Sequence, residues 1–133
     1  MTSEERTGRG SADFLRNPLS AAFWWGLPLA AGWTGEALPI AAPDKTLVWA
    51  AALAWMGVGC ALNARRCRRL HCFLAAPVLL LGAAATALVA LGWTPLGPIA
   101  AGYLVNGSLG LALLTFLAEP VWGRYRTRRP RAG

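Results

Sequence analysis

Charged residues are scarce in this sequence of 133 residues. They make up 14% of it, and hydrophobic residues make up 56%, whereas a soluble domain carries about 25% charged residues. Such a composition excludes an ordinary soluble domain. It also excludes a disordered chain, because disorder requires low hydrophobicity. Collagen and coiled-coil repeats are absent as well. We therefore predict an all-α, polytopic integral membrane protein.

Acidic residues and histidine are especially rare, with six Asp and Glu and one His. Between Leu70 and Ala118 the titratable side chains are those of His71, Cys72 and Tyr103. The apolar stretches contain no cluster of Asp, Glu and His, and the chain has no nucleotide-binding loop and no HExxH motif. These absences argue against a membrane enzyme, and we expect no catalytic residues.

Long uncharged runs are what the sequence does contain, at 18–35, 46–64 and 70–118. A helix needs about 20 residues to cross the hydrocarbon core of a bilayer. The third run fits two such helices, since Pro95, Gly97 and Pro98 favour a turn between them. The predicted fold is an antiparallel bundle of four transmembrane helices within residues 18–119. We place these helices at 18–36, 46–63, 73–92 and 98–119.

The two ends of the chain differ from this apolar domain. Residues 1–17 are predicted to be a disordered cytoplasmic tail, and residues 120–133 a basic cytoplasmic tail. Asn17 and Pro18 favour a helix start, because Asn caps helices and Pro suits the first helical position. Pro28 predicts a kink in the first helix. A cleaved signal peptide with a site near 37–42 is the alternative for this segment.

Positive charge lies almost entirely on one side of the predicted bundle. Twelve of the thirteen Lys and Arg residues fall in the two tails and the 64–72 loop, and Lys45 alone falls on the other side. The positive-inside rule then places both termini in the cytoplasm of a multi-pass protein in the inner (plasma) membrane. Four arginines in the loop are predicted to bind anionic lipid headgroups: Arg65, Arg66, Arg68 and Arg69.

Small residues at four-residue intervals predict where the helices pack, because close approach drives helix association in lipid. The predicted seams are Ala50, Ala54, Gly57 and Ala61 in helix 2, Gly82, Thr86 and Ala90 in helix 3, and Gly102, Asn106 and Gly110 in helix 4. Asn106 is expected to face helix 2 or helix 3 and to form an interhelical hydrogen bond there.

All three cysteines and the single histidine fall within thirteen residues, at Cys60, Cys67, His71 and Cys72. If helix 2 continued through the loop, the first three would share one stripe about 40° wide. Cys72 would lie on another face unless the chain bends there. Thiolate and imidazole ligands suit thiophilic ions such as Cu(I) and Zn(II). We therefore predict a metal site at these four residues.

Helix packing and membrane topology can also account for the cluster. Cysteine is a common small apolar residue in helices, and the positive-inside rule suffices for the arginines. The alternative function is a noncatalytic membrane subunit or scaffold that binds anionic lipid or a protein partner through the Arg-rich loop and tail. A homo-oligomer or a larger membrane complex is compatible with either function. We expect no nucleic-acid partner, because basic tails beside a membrane helix more often meet anionic lipid.

In size, helix number, inside termini and cytosolic thiols, the chain resembles the small bacterial mercury-resistance transport proteins. The resemblance implies transport of a thiophilic ion. In that family a vicinal cysteine pair in the first helix receives the ion before cytosolic cysteines do. Helix 1 of this chain contains no cysteine, so the likeness is architectural and does not extend to that motif.

The predicted topology is testable with reporter fusions. Fusions at Gly10, Pro43, Arg68, Leu96 and Arg131 should read inside, outside, inside, outside and inside, because the arginines hold their loops in the cytoplasm. A reading of outside at Gly10, in a protein that keeps its N-terminus, would contradict four crossings.

Overall fold

The computed structural model describes residues 17–67 and 70–122, except for the side chains of Cys67, Glu119 and Trp122. These residues form an all-helical structure, with no strand in the described ranges. The helix α1 comprises Pro18–Ala21, a π-helical turn Ala22–Gly26 and Leu27–Ala37. It is followed by α2 (Ala42–Cys67), α3 (Leu70–Ala90) and α4 (Pro98–Trp122). Most of both predicted tails, 1–16 and 123–133, lies outside the described residues.

Three of the helices are long and apolar enough to cross a membrane, over Ala42–Arg66, Leu70–Ala90 and Pro98–Ala118. The helix α1 is not among them, because the π turn Ala22–Gly26 divides it and its longest α-helical stretch is the 11 residues of Leu27–Ala37. That stretch taken alone is about 16 Å long, which is shorter than the hydrocarbon core. The membrane character predicted from composition is therefore supported by α2, α3 and α4.

The start and the interior of α1 follow from its local sequence. The side chain of Asn17 accepts a hydrogen bond from the Leu19 amide at 3.1 Å, as expected of a cap before Pro18. Pro28 has no amide hydrogen for the preceding turn, and its ring crowds the carbonyl there. The helix widens into the π turn just before Pro28, and the Leu27 amide donates to the Ala22 carbonyl. A π turn thus precedes Pro28, where the sequence predicts a kink.

The bundle is built around the pair α2 and α3, which pack closely along their length. Leu53, Met56 and Leu79 are fully buried between them. The helix α1 packs on α2, and α4 packs mainly on α3. At the end of α3, Gly92 adopts a positive φ of 70°, and the Trp93 amide donates to the Leu88 carbonyl at 3.0 Å. This glycine closes the helix.

The predicted seams of α2 and α3 are confirmed in part. Ala50, Gly57, Gly82 and Thr86 are buried, whereas Ala54, Ala61 and Ala90 are half-buried. The predicted seam of α4 is wrong. Its small residues Gly102 and Gly110 are exposed, and a side chain added at either would meet no atom within 4 Å. The buried face of α4 instead carries Ala101, Val105 and Ala112.

Asn106 lies on the exposed side of α4. Its amide donates to the Gly102 carbonyl of its own helix at 2.8 Å, so the predicted bond to helix 2 or helix 3 is not formed. By donating to the preceding turn of its own helix, the exposed side-chain amide satisfies one of its hydrogens without a second helix.

The end of the bundle formed by 37–45 and 90–98 is called the proline end below. There, the buried Trp49 donates its indole hydrogen to Glu36 Oε1 at 2.9 Å, and Lys45 Nζ donates to the main-chain oxygen of Glu36 at 2.8 Å. The ring of Trp33 meets that of Trp49 edge-on at 5.9 Å. These contacts attach the end of α1 to the start of α2.

The closeness of α2 and α3 predicts that Gly57→Val destabilises the bundle. A Cβ at Gly57 would lie 2.8 Å from Leu80 Cγ and 3.2 Å from the Leu80 backbone nitrogen, so the helices must separate. We expect a loss of about 1–3 kcal/mol in the free energy of unfolding, measured by SDS titration in mixed micelles.

Gly107→Val is the matched control, because it makes the same chemical change where a Cβ meets nothing within 4 Å. Equal stability of the two variants would contradict the close approach at Gly57.

Candidate thiol site

A compact polar cluster lies where α2 ends and α3 begins, at what we call the thiol end of the bundle. From α2 come Cys60 and Asn63, which are 2% and 3% exposed, and from α3 come His71 and Cys72, which are 1% and 0% exposed. Groups of this polarity are costly to bury unless they bind one another. These groups can be buried because the antiparallel packing of the two helices brings them together.

Cys72 is the centre of the cluster. Its Sγ lies 3.0 Å from His71 Nε2, and it accepts a hydrogen bond from Asn63 Nδ2 at 3.3 Å. Cys60 and Cys72 line the same small cavity from the two helices. Both cysteines are free thiols. Two sulfur atoms and one imidazole thus converge from two helices.

Aromatic side chains from the other two helices cover this cluster. Phe116 of α4 lies over the His71 ring, with 4.4 Å between ring centroids and 35° between planes. Trp25 of α1 meets Phe116 edge-on at 5.4 Å. The ring of Trp24 lies against Gly59, where a Cβ would come within 2.7 Å of it. All four helices therefore contribute to the enclosure.

A small cavity of about 10 Å³ adjoins both thiols. Its walls include Trp24 and Trp25 of α1, besides Cys60, Asn63 and Cys72. A space of this size holds roughly one water-sized sphere, so it also accommodates a single ion. The first turns of α1 line one side of it.

The predicted single-helix stripe of Cys60, Cys67 and His71 is wrong. The helix α2 ends at Cys67 and α3 begins at Leu70, so His71 belongs to the next, antiparallel helix. The same reversal turns Cys72 inward, which the sequence predicted only if the chain bent there. The side chain of Cys67 lies outside the described residues.

No group of three or more His, Cys, Asp and Glu side chains within the described residues is arranged to hold a metal ion. The described part of the predicted four-residue site is therefore a thiol pair with an adjacent imidazole, and these groups are not arranged as a set of three metal ligands. A thiol pair of this kind can bind a soft ion as a bis-thiolate. It can also form a disulfide if an oxidant reaches it.

Two of the four predicted lipid-binding arginines, Arg65 and Arg66, are exposed in the last turn of α2. The other two, Arg68 and Arg69, lie outside the described residues. Cationic side chains at a helix C-terminus interact favourably with the helix dipole. The described arginines thus lie at the same end of α2 as Cys60 and Asn63.

The partners of the cluster outside the Cys and His residues were not predicted. Asn63 carries a usable signal, since it follows Cys60 by three residues and shares its side of a helix. Phe116 and Trp24 carry no local signal, because aromatic residues are common throughout apolar helices. Only the three-dimensional packing places them at the thiols.

No family model, no curated protein and no solved structure matches this chain.

Burial of the thiols predicts slow chemical labelling. In a Cys67→Ser protein, where Cys60 and Cys72 are the remaining cysteines, maleimide labelling in mild detergent should be at least about tenfold slower than in SDS. Trp24→Ala should speed native labelling, because it removes a wall of the cavity. The measurement is the labelling rate followed by mass spectrometry.

Trp33→Ala is the matched control, since it removes the same ring from the opposite end of α1. Fast labelling of the native protein, or equal acceleration by both Trp substitutions, would show that the cluster is open in solution.

Proposed function

We propose that this protein handles or transports a thiophilic metal ion, which it binds between Cys60 and Cys72. The observation that supports this most is that two free, buried thiols line one small cavity, with His71 Nε2 3.0 Å from the sulfur of Cys72. Thiolate sulfur is the preferred ligand of soft ions. The ion is the cargo in this proposal and not a permanent part of the fold.

The polar neighbours favour binding by the thiolate form. Asn63 donates a hydrogen bond to Cys72 Sγ, and a donor stabilises sulfur more when it is charged. His71 is placed to take the proton that Cys72 loses, because its Nε2 already contacts that sulfur. Metal binding would then release the remaining proton to solvent.

Cys67 and His71 have different roles in the proposed site. His71 accepts the proton that Cys72 releases, so its Nε2 is not a ligand of the ion. Cys67 ends α2 seven residues after Cys60, about 10 Å along the helix. We assign Cys67 the first contact with an ion arriving from the cytoplasm, and Cys60 and Cys72 the tighter site.

The proposed setting is the inner (plasma) membrane, with both termini in the cytoplasm. The continuous helical run from Pro18 to Ala37 in α1 is about 30 Å long if its rise is that of an α-helix, which is enough to cross the hydrocarbon core. With α1 as a crossing helix, the arginines and the thiol cluster share the cytoplasmic side. The mercury-resistance transport proteins supply the analogy for this arrangement, without their first-helix cysteine pair.

Titration of the reduced full-length protein in detergent with Hg(II), Cu(I) and Zn(II) tests the proposal. We expect near-stoichiometric binding of one of these soft ions with proton release, and a loss of at least about tenfold in affinity for both Cys60→Ser and Cys72→Ser. Calorimetry in buffers of different ionisation enthalpy measures the affinity and the protons together.

Thr86→Val is a control, because it changes a fully buried polar residue of α3 at a distance from the thiols. Binding that is weak and equal in the wild type and the Cys60/Cys72 double variant would refute the metal proposal.

The alternative is a noncatalytic membrane subunit or scaffold. It is favoured by the exposure of α4, since only 17% of its span is buried inside the chain, compared with 56% for α2. A helix exposed to this extent meets lipid, another copy or a partner. Under this alternative the arginines bind anionic lipid or protein, and the thiols only hold α2 and α3 together.

A further inference from the structure

A lateral cleft opens between α1 and α4 at the proline end. The two helices approach each other at the thiol end, where Trp25 meets Phe116, but both pack elsewhere on other helices. The space between them there has a volume of about 520 Å³, with α2 at its back. This lies within the range of roughly 300–1,000 Å³ that is typical of ligand sites.

The rim of the cleft carries one charge of each sign, Glu36 and Lys45. Within the described part of the chain the two charged groups are not joined in an ion pair, because Lys45 Nζ donates to the main-chain oxygen of Glu36 and not to its carboxylate. The carboxylate accepts from the Trp49 indole through Oε1. The second oxygen of the Glu36 carboxylate is therefore available for a ligand, and so are two hydrogens of the Lys45 ammonium group.

The deeper walls of the cleft are apolar. They include Val105 and Leu109 of α4 and the ring of Trp49. Leu109 follows Pro98 by eleven residues, so the walls extend about 16 Å from the start of α4 toward the middle of the bundle. The cleft thus changes from charged to apolar with depth.

Asn106 supplies a polar group partway along the cleft. One amide hydrogen bonds to the Gly102 carbonyl, which leaves the other hydrogen free to donate. Exposed amides are expensive at this depth of a membrane unless something binds them.

We propose that the cleft binds one molecule of phosphatidylethanolamine from the leaflet at the proline end. Its ammonium group donates to Glu36, its phosphate accepts from Lys45, and an ester carbonyl accepts from Asn106. One acyl chain lies along Val105 and Leu109. A zwitterionic headgroup with a hydrogen-bond donor matches the unpaired charges at the rim, whereas an anionic lipid leaves Glu36 opposed by like charge.

Native mass spectrometry of the delipidated full-length protein, with defined amounts of added lipid, tests the proposal. The wild type should bind one phosphatidylethanolamine about tenfold more tightly than phosphatidylcholine or phosphatidylglycerol, since charge-assisted hydrogen bonds are at stake. Glu36→Gln should remove most of this preference. Asp44→Asn is its control, because Asp44 is a nearby carboxylate outside the cleft.

A second pair of variants tests the apolar part of the site. Gly102→Leu should reduce lipid binding at least about tenfold, because the new side chain enters the cleft without meeting another atom of the chain. Gly107→Leu is the matched control on the same helix, equally open and outside the cleft, and it should bind lipid as the wild type does. Circular dichroism verifies that each variant is folded.

Three results would overturn the proposal. The first is equal binding of the three lipids by the wild type, and the second is equal binding by the Gly102 and Gly107 variants. The third is a dimer in the mass spectrum that Gly102→Leu abolishes, which would make the cleft an interface between copies. If either glycine variant fails to fold, the comparison of Glu36→Gln with Asp44→Asn still decides.

Discussion

The close packing of α2 against α3 is the interaction on which the rest of the structure depends. It requires Gly57, whose missing side chain lets Leu80 approach, and it buries Leu53, Met56 and Leu79 completely. Because the helices are antiparallel, the end of α2 meets the start of α3. Cys60 and Cys72 come together for that reason, although they are twelve positions apart in the sequence. The thiol pair is a product of helix packing and not of a local motif.

The polar side chains at the two ends of the bundle find hydrogen-bond partners in different ways. Hydrocarbon offers no hydrogen bonds, so polar side chains must bind groups within the protein or at its interface. At the thiol end they bind one another, and the result is a closed cluster under aromatic rings. At the proline end Glu36 and Lys45 keep capacity for an outside partner, and the result is an open cleft. The proposed ion and the proposed lipid therefore occupy opposite ends of the molecule, and their sites share no residue.

The sequence predicts the helices well because charges and prolines mark their limits. It is less accurate for α2, which begins at Ala42 and ends at Cys67. The helix starts earlier than predicted because Pro43 is tolerated in a first turn. It ends later because arginines end an apolar run without ending a helix. The buried face of α4 was mispredicted because that helix is apolar on all sides, so small residues alone could not identify it. The sequence predicts one candidate cluster that includes Cys60, His71 and Cys72, and the structure brings these three residues together. Their geometry depended on the chain reversal after Cys67, which periodicity along one helix could not represent.

The proposed function requires that Cys60 and Cys72 bind a soft ion together. X-ray absorption at the metal edge tests this most directly, with Cys67→Ser protein loaded with one equivalent of Hg(II). Paired binding predicts sulfur from both remaining cysteines in the first coordination shell, and the loss of one sulfur when Cys60 is also replaced by Ser. A shell with one sulfur or none in the protein that retains both cysteines would contradict paired binding, because the two thiols would then act separately or not at all.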